Sequence, residues 1–416
     1  MSQPPPTVFA TSTLQEPAKR RQPSSIPLRI VALCMTSVAT AVNYTNYGPL
    51  IPVLRTDLHI SSGQAGLMST LLFLGLAVAY IPAGALADRY GSRPVLIGSS
   101  ILIATGGILL PLIPNFTWIL VCRAITGIGA GGTFVAGAGI AASMGKHSPL
   151  AQGLYGGSVQ IGSGLGLLLT PFLAIWFGWR GSFLFWGIFA ISIVITWVFV
   201  NDGQVTHTPT KVDLKAGLRS PAVWTLGLAH MGTFGLGNAI AAWIAVYLAH
   251  QYGLSLGLAA TLGSIALLTG MFFRPLGGIL IGRRMIGAFP LLQMGTIMGF
   301  IGVALLAIPL RSPLLVIAGM GSIAIGATIP YTAVFNEAAR LRDVSKGIAQ
   351  GLVSVISVPT VIIGPPIIGF LFENTGNFTL AFGSILIFSS IAVTSSFLAG
   401  PAVKRETNSN SLLTKR

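Results

Sequence analysis

Charge is what this chain has least of. Asp, Glu, Lys and Arg make up 8% of its 416 residues and only nine side chains are acidic, whereas a soluble domain carries about a quarter charged residues. With 53% hydrophobic residues and a mean hydropathy of +0.80, that deficit excludes a soluble globular domain and places the chain in a bilayer. Cysteine is nearly absent too. Cys34 and Cys122 both lie inside apolar runs, which leaves a disulfide framework or a metal site without support. No His-Glu-x-x-His occurs, and the sixth apolar run has no His to pair with a serine. The reading is therefore not an enzyme, with no cofactor and no metal.

What is abundant is uninterrupted apolar sequence. Crossing roughly 30 Å of hydrocarbon takes about 20 helical residues. Runs of that size fall near 28–52, 63–86, 95–113, 117–141, 151–175, 182–200, 221–248, 258–281, 288–309, 314–336, 347–371 and 378–400. The fold class expected is an all-α membrane protein with twelve transmembrane helices in two six-helix repeats. The 52 glycines and 25 prolines fit this, because neighbouring membrane helices re-satisfy freed backbone groups and small residues allow close packing.

A single register supports the repeat. An offset of 194 places Gly84 on Gly278, Arg89 on Arg283, Gly127 on Gly321, Gly132 on Gly326, Gly157 on Gly351 and Pro171 on Pro365. One offset serving several hydrophobic segments is the mark of duplicated helix bundles. The domains that follow are a disordered tail at 1–27, an N-terminal half at 28–200, a polar linker at 201–220, a C-terminal half at 221–400 and a tail at 401–416. The first apolar run is too long for a signal peptide and lacks a small-residue cleavage site after it.

The net charge of +15 suggests nucleic acid only until the cations are placed on this topology. Apart from Arg55, Arg180 and Arg311, the loop and tail Lys and Arg fall on the side of the termini. This positive-inside pattern puts both termini in the cytoplasm of a cell-membrane protein. The basic excess orients the chain in lipid and calls for no nucleic acid.

The run Gly84-Ala85-Leu86-Ala87-Asp88-Arg89-Tyr90-Gly91-Ser92-Arg93 fills a charged gap after the second apolar segment, and Gly278–Arg284 is its decayed copy. It resembles the loop 2–3 signature of the major facilitator superfamily, and the resemblance extends over nearly the whole chain. It implies a conformational latch of Gly84, Asp88, Arg89, Gly91 and Arg93, with Arg283 from the copy, stabilising the outward-open state. The copy has Gly282 where Asp88 would stand. An orienting charged loop is the alternative.

Two arginines stand inside apolar runs, where insertion costs at least about 2.5–3.5 kcal/mol. Arg123, in a segment that looks like the superfamily's helix-4 motif, either faces the interior for coupling and substrate or bonds backbone carbonyls or Asn43 and Asn46. Arg274, in Arg274-Pro275-Leu276-Gly277-Gly278, resembles the helix-8 signature of nitrate/nitrite porters. There, a second arginine from helix 2 completes an anion clamp, but the repeat register puts Tyr80 at that place. Snorkelling to the headgroups is the alternative for Arg274. Asn43-Tyr44-Thr45-Asn46-Tyr47 is similar to helix 1 of the organic anion:cation symporters. The superfamily lines its cavity with helices 1, 4, 7 and 10, which adds His230, Asn238 and Tyr331 to the substrate-binding candidates. His230 is either a satisfied interhelical bond or a proton relay.

The acidic residues fix the sign of the cargo. None sits deep in an apolar run, and Glu337 lies at one end of the tenth, within reach of Arg283, Arg284 or Arg340. Two buried arginines without a buried acid make a positive site that an anion would neutralise. The reading is a secondary-active transporter of a small anionic solute, a monomer in contact with lipid, coupled to a proton or cation. An exporter of hydrophobic compounds and a non-transporting sensor are the alternatives. Gly153 and Gly157, Gly162 and Gly166, and Gly364-Pro365-Pro366 are read as sliding surfaces between the halves.

Overall fold

The computed structural model describes residues 23–202, 214–342, 344 and 346–408. Every regular element among them is helical. The spans are α1 (Ile26–Leu58), α2 (Ser62–Tyr90), α3 (Ser92–Leu112) and α4 (Phe116–Ala142). The stretch Gly145–Phe199 breaks at Gly178, where φ is +67°, into α5 (148–177) and α6 (179–199). The second half supplies α7 (Pro221–Tyr252), α8 (Leu256–Gly282), α9 (Ala288–Ala307), α10 (Pro313–Ala339), α11 (Gly347–Thr375) and α12 (Phe378–Asn408).

Helix ends follow local chemistry. The Ser61 side chain and that of Gln64 form a reciprocal capping box at the start of α2, and Asn115, Ser220, Ser255 and Ser312 cap α4, α7, α8 and α10. Each supplies a side-chain oxygen to a backbone N–H that the first helical turn leaves without a partner. Gly253 and Gly376 end α7 and α11 in the left-handed region, where a glycine costs least.

The two halves repeat their packing. In the first, α1 lies on α5, α2 on α4, and α3 on both α4 and α6; in the second, α7 lies on α11, α8 on α10, and α9 on both α10 and α12. The halves meet through α2 against α11 and α8 against α5, which are the same pair of elements exchanged by the repeat. Bulky side chains such as Trp176, Phe199, Phe272, Leu314, Phe370 and Ile387 are exposed, as a lipid-facing surface requires.

Three boundaries and one packing assignment differ from the sequence reading. Gly84 does not sit in a loop: α2 continues through it to Tyr90 and the turn is Gly91 alone, at φ +90°. A Cβ on Gly84 would meet only Val135 at 3.9 Å, so no close helix approach depends on it. The segment read as tail from 401 is helical to Asn408, and Leu214–Arg219 within the linker forms a short helix. Gly162 and Gly166 are not sliding surfaces between the halves. Their Cα positions face the Val38 and Val42 carbonyls of α1 in their own half, each 2.4 Å from where a Cβ would sit. Residues 1–22, 203–213 and 409–416 of the predicted tails and linker lie outside the described residues.

Candidate functional site

Broken helices position the site. α1 is helical to Thr45 and resumes with a tight turn at Gly48–Leu50, α7 is interrupted by a wide turn over Met231–Gly235, and α10 breaks between Thr328 and Tyr331 at Pro330. α11 breaks at Ser357 and Val358, ahead of Pro359. Interrupted membrane helices release backbone groups where they line a cavity.

Arg274 stands one residue before the in-helix Pro275 of α8 and is 5% exposed. It does not snorkel. Its Nη1 donates across to the Gly156 carbonyl of α5, and its guanidinium sits over the Tyr331 ring of α10, 4.1 Å from the centroid. Nε is buried without a partner among the described residues. A Cβ on Gly156 would lie 3.4 Å from Tyr331 and 3.6 Å from Arg274 Nη1, ordinary contact distances, so what Gly156 contributes is its carbonyl.

Two cavities open beside this guanidinium. The larger lies between α5, α7, α8 and α10, with Gln160, Asn238, Ile244, Leu267 and Met320 on its walls. The smaller is faced by Tyr44, Tyr80, Phe134, His230, Tyr331 and Phe335. Arg274 and Phe234 border both. Ring contacts brace the smaller one: Tyr80 to Phe134 at 5.6 Å, Tyr331 to Phe335 at 4.6 Å and His230 to Phe335 at 5.2 Å between centroids. His230 Nδ1 lies 2.7 Å from Thr233 Oγ1, whose own proton goes to the His230 carbonyl. With that assignment Nδ1 is the donor to Thr233.

Arg123 is in a different setting. It is 1% exposed and each nitrogen of its guanidinium has an acceptor: Nε the Met68 carbonyl at 3.1 Å, Nη1 the Asn46 Oδ1 at 3.1 Å, and Nη2 the Asn43 carbonyl at 2.8 Å. The Tyr47 ring lies 5.2 Å away. Asn46 donates to Asn43 Oδ1 and Asn43 donates to the Ala39 carbonyl. The cluster joins α4 to α2 and to the end of the first segment of α1 at Thr45, where a cation also suits the carbonyl end of the helix dipole.

Of the sequence-predicted binding residues, the structure gathers Arg274, Tyr44, Tyr80, His230, Asn238 and Tyr331 on the cavities and holds Arg123, Asn43 and Tyr47 in the separate buried cluster. Sequence reasoning missed Phe134, Phe234, Phe335 and Gly156. Aromatics inside apolar runs offer no contrast, and Gly156 is one glycine among many.

Among the described residues the latch residues are not joined to one another. Arg93 pairs with no loop charge among the described residues; Nε and Nη2 donate to the Trp197 and Val198 carbonyls at the end of α6, each at 2.9 Å. Those orphan carbonyls are what a helix C-terminus leaves open. Arg89 is exposed over its neighbour Tyr90, Arg283 is exposed, and the Asp88 side chain is outside the described residues. Of the partners proposed for Glu337, Arg340 is the one it meets, at 2.9 Å.

The halves are closed on the face away from the termini. Glu373 of α11 lies 3.5 Å from Arg55 of α1 and accepts a bond from the Ser62 backbone of α2 at 2.8 Å. Ser69 and Thr70 of α2 donate to the Val361 and Ile362 carbonyls. A Cβ on Gly66 would fall 2.4 Å from the Pro366 nitrogen, so the backbones there touch.

Comparison with known proteins agrees with this architecture. The family profile described as Major Facilitator Superfamily matches residues 33–359. The chain is 27% identical over 350 residues to the nitrite extrusion protein of Bacillus subtilis, covering 80% of this chain and 84% of that one. It is 25% identical over 373 residues to the probable nitrate transporter NarT of Staphylococcus carnosus, covering 88% and 94%. The crystal structure of a D-xylose-proton symporter superposes with a TM-score of 0.75 at 14% identity, covering 90% of this chain and 97% of that chain, a likeness of fold.

Proposed function

The chain belongs to the Major Facilitator Superfamily, and from that premise we propose that this transporter moves a small anion across the cell membrane by alternating access. Arg274 carries the reading. A permanent cation is buried on the cavity walls, holding one carbonyl and one aromatic face, with a nitrogen left over and no carboxylate paired to it among the described residues. Leaving that charge alone at membrane depth is costly, and an anion supplies both the opposite charge and the missing acceptor.

Transport follows from the same balance. The two halves rock about the cavities, and closure over an empty Arg274 strands its charge in a dry site, while closure over a loaded one does not. A proton or cation gradient biases the direction. With both termini cytoplasmic by the positive-inside pattern, the closed face is external and the cavities load from the cytoplasm. The nitrite extrusion protein and the probable nitrate transporter among its relatives make nitrate and nitrite the first solutes to try.

The test is counterflow in proteoliposomes. Labelled nitrate should exchange into vesicles preloaded with nitrate or nitrite, and Arg274→Ala should abolish the exchange. Exchange unaltered by that substitution would remove Arg274 from the mechanism, and binding without exchange would favour a sensor.

A further inference from the structure

We infer that the preferred cargo is a small monoanion that carries its own hydroxyl, of the hydrogencarbonate kind, with its anionic oxygens on Arg274 and its O–H donated to His230. The inference rests on the anion reading above and deepens it.

The polarity of His230 comes first. Thr233 Oγ1 has one proton and two short contacts, 2.9 Å to the His230 carbonyl and 2.7 Å to His230 Nδ1. Two oxygens that close without a proton between them repel, so the hydroxyl proton lies toward the carbonyl and Nδ1 brings its own. Neither cavity is lined by a carboxylate among the described residues, and a second buried positive charge beside Arg274 would be unpaired, which keeps the ring neutral. Its Nε2 is then a bare lone pair. His230 is 3% exposed and faces the smaller cavity, and Nε2 has no partner among the described residues.

The groups around that lone pair divide by what they can offer. Arg274 and His230 approach the Tyr331 ring at 4.1 Å and 6.2 Å. The hydroxyls of Tyr44, Tyr80 and Tyr331 border the same cavity with no hydrogen bond among the described residues, whereas Tyr155 spends its own on the Thr133 carbonyl at 2.8 Å. A phenol donates or accepts, and so does the amide of Gln160 on the wall of the larger cavity, so these groups suit any oxyanion. Arg274 only donates and Nε2 only accepts. Those two set the selectivity.

Nitrate meets Arg274 but turns an oxygen lone pair toward Nε2 and leaves that acceptor unmet, at the cost of a buried polar group without a partner. Hydrogencarbonate has the same planar frame of three oxygens and the same single charge, with one O–H added, and it answers both groups. Its charge balances Arg274, the one permanent cation bordering either cavity among the described residues. Its size also fits, because the free space beside Arg274 is that of a few water molecules.

The test is titration calorimetry of the purified full-length protein with hydrogencarbonate and with nitrate, at a pH where hydrogencarbonate is the dominant species of its own equilibrium. Hydrogencarbonate should bind about tenfold or more tightly than nitrate, and Arg274→Ala should remove binding of both. His230→Phe, which keeps a ring and deletes the acceptor, should bring the two affinities together. Thr233→Val, which removes the oxygen that holds the proton on Nδ1, should shrink the preference. The native pair of anions decides the matter even if the variants fail to fold. Nitrate bound as tightly as hydrogencarbonate, or a preference that survives His230→Phe, would overturn this inference and leave the anion reading standing. Binding of neither anion, or binding untouched by Arg274→Ala, would overturn both.

Discussion

Arg123 and Arg274 share a residue type, a place within the membrane spans and near-complete burial, and differ in what surrounds them. Arg123 in the first half has acceptors at Nε and both terminal nitrogens, drawn from α1 and α2. Arg274 in the second half has one carbonyl from α5, a tyrosine face and an idle Nε. The contrast extends to the helices around them. α4 and α5 run unbroken, whereas their repeat counterparts α10 and α11 break at Pro330 and ahead of Pro359. The first half braces its own arginine, while the arginine of the second half stands on cavity walls that both halves supply. A buried charge in a membrane marks function by default, but its unmet bonds tell a strut from a grip.

Four substitutions sharpen or break that contrast. Arg274→Ala should have the largest effect on transport, lowering anion uptake by thirtyfold or more, since losing a buried charged contact costs about 2–5 kcal/mol; counterflow measures it. Arg123→Ala should act mainly on stability, by on the order of 3 kcal/mol through several charge-assisted bonds, read as a fall in melting temperature. Gly66→Val places side-chain atoms against the Pro365 and Pro366 backbone and should cost the closed outer face about 1–3 kcal/mol. External maleimide labelling of an added Ile240→Cys, with Cys34 and Cys122 replaced, should then rise about tenfold. Glu373→Gln loosens a half-exposed pair worth up to about 1 kcal/mol, so the same labelling should rise by about fivefold or less.

Much of the frame could be read before any coordinates. The 194 offset anticipated a duplicated packing scheme, and the exchanged α2–α11 and α8–α5 contacts are its geometric expression. The end of α2 was misread because Asp88 and Arg89 look like a loop, although Ala85, Leu86 and Ala87 favour helix and only Gly91 stops it. In the site, Arg274 was visible because a charge in an apolar run has contrast. Phe134, Phe234 and Phe335 were invisible because aromatics there have none. The bonding of Arg123 was a different problem. Its acceptors are partly backbone carbonyls of Asn43 and Met68, and residue spacing does not show which of them will face it.

Thermal unfolding of the native protein, Arg274→Ala and Arg123→Ala, each with and without a saturating anion, tests the central claim most directly. A bound ligand at about 100 times its dissociation constant stabilises by about 2.7 kcal/mol. The account predicts that Arg274→Ala melts no lower than the native protein without anion and gains nothing from it, while Arg123→Ala melts well below the native protein. An Arg274→Ala protein that melts as low as Arg123→Ala, and is still stabilised by the anion, would contradict it.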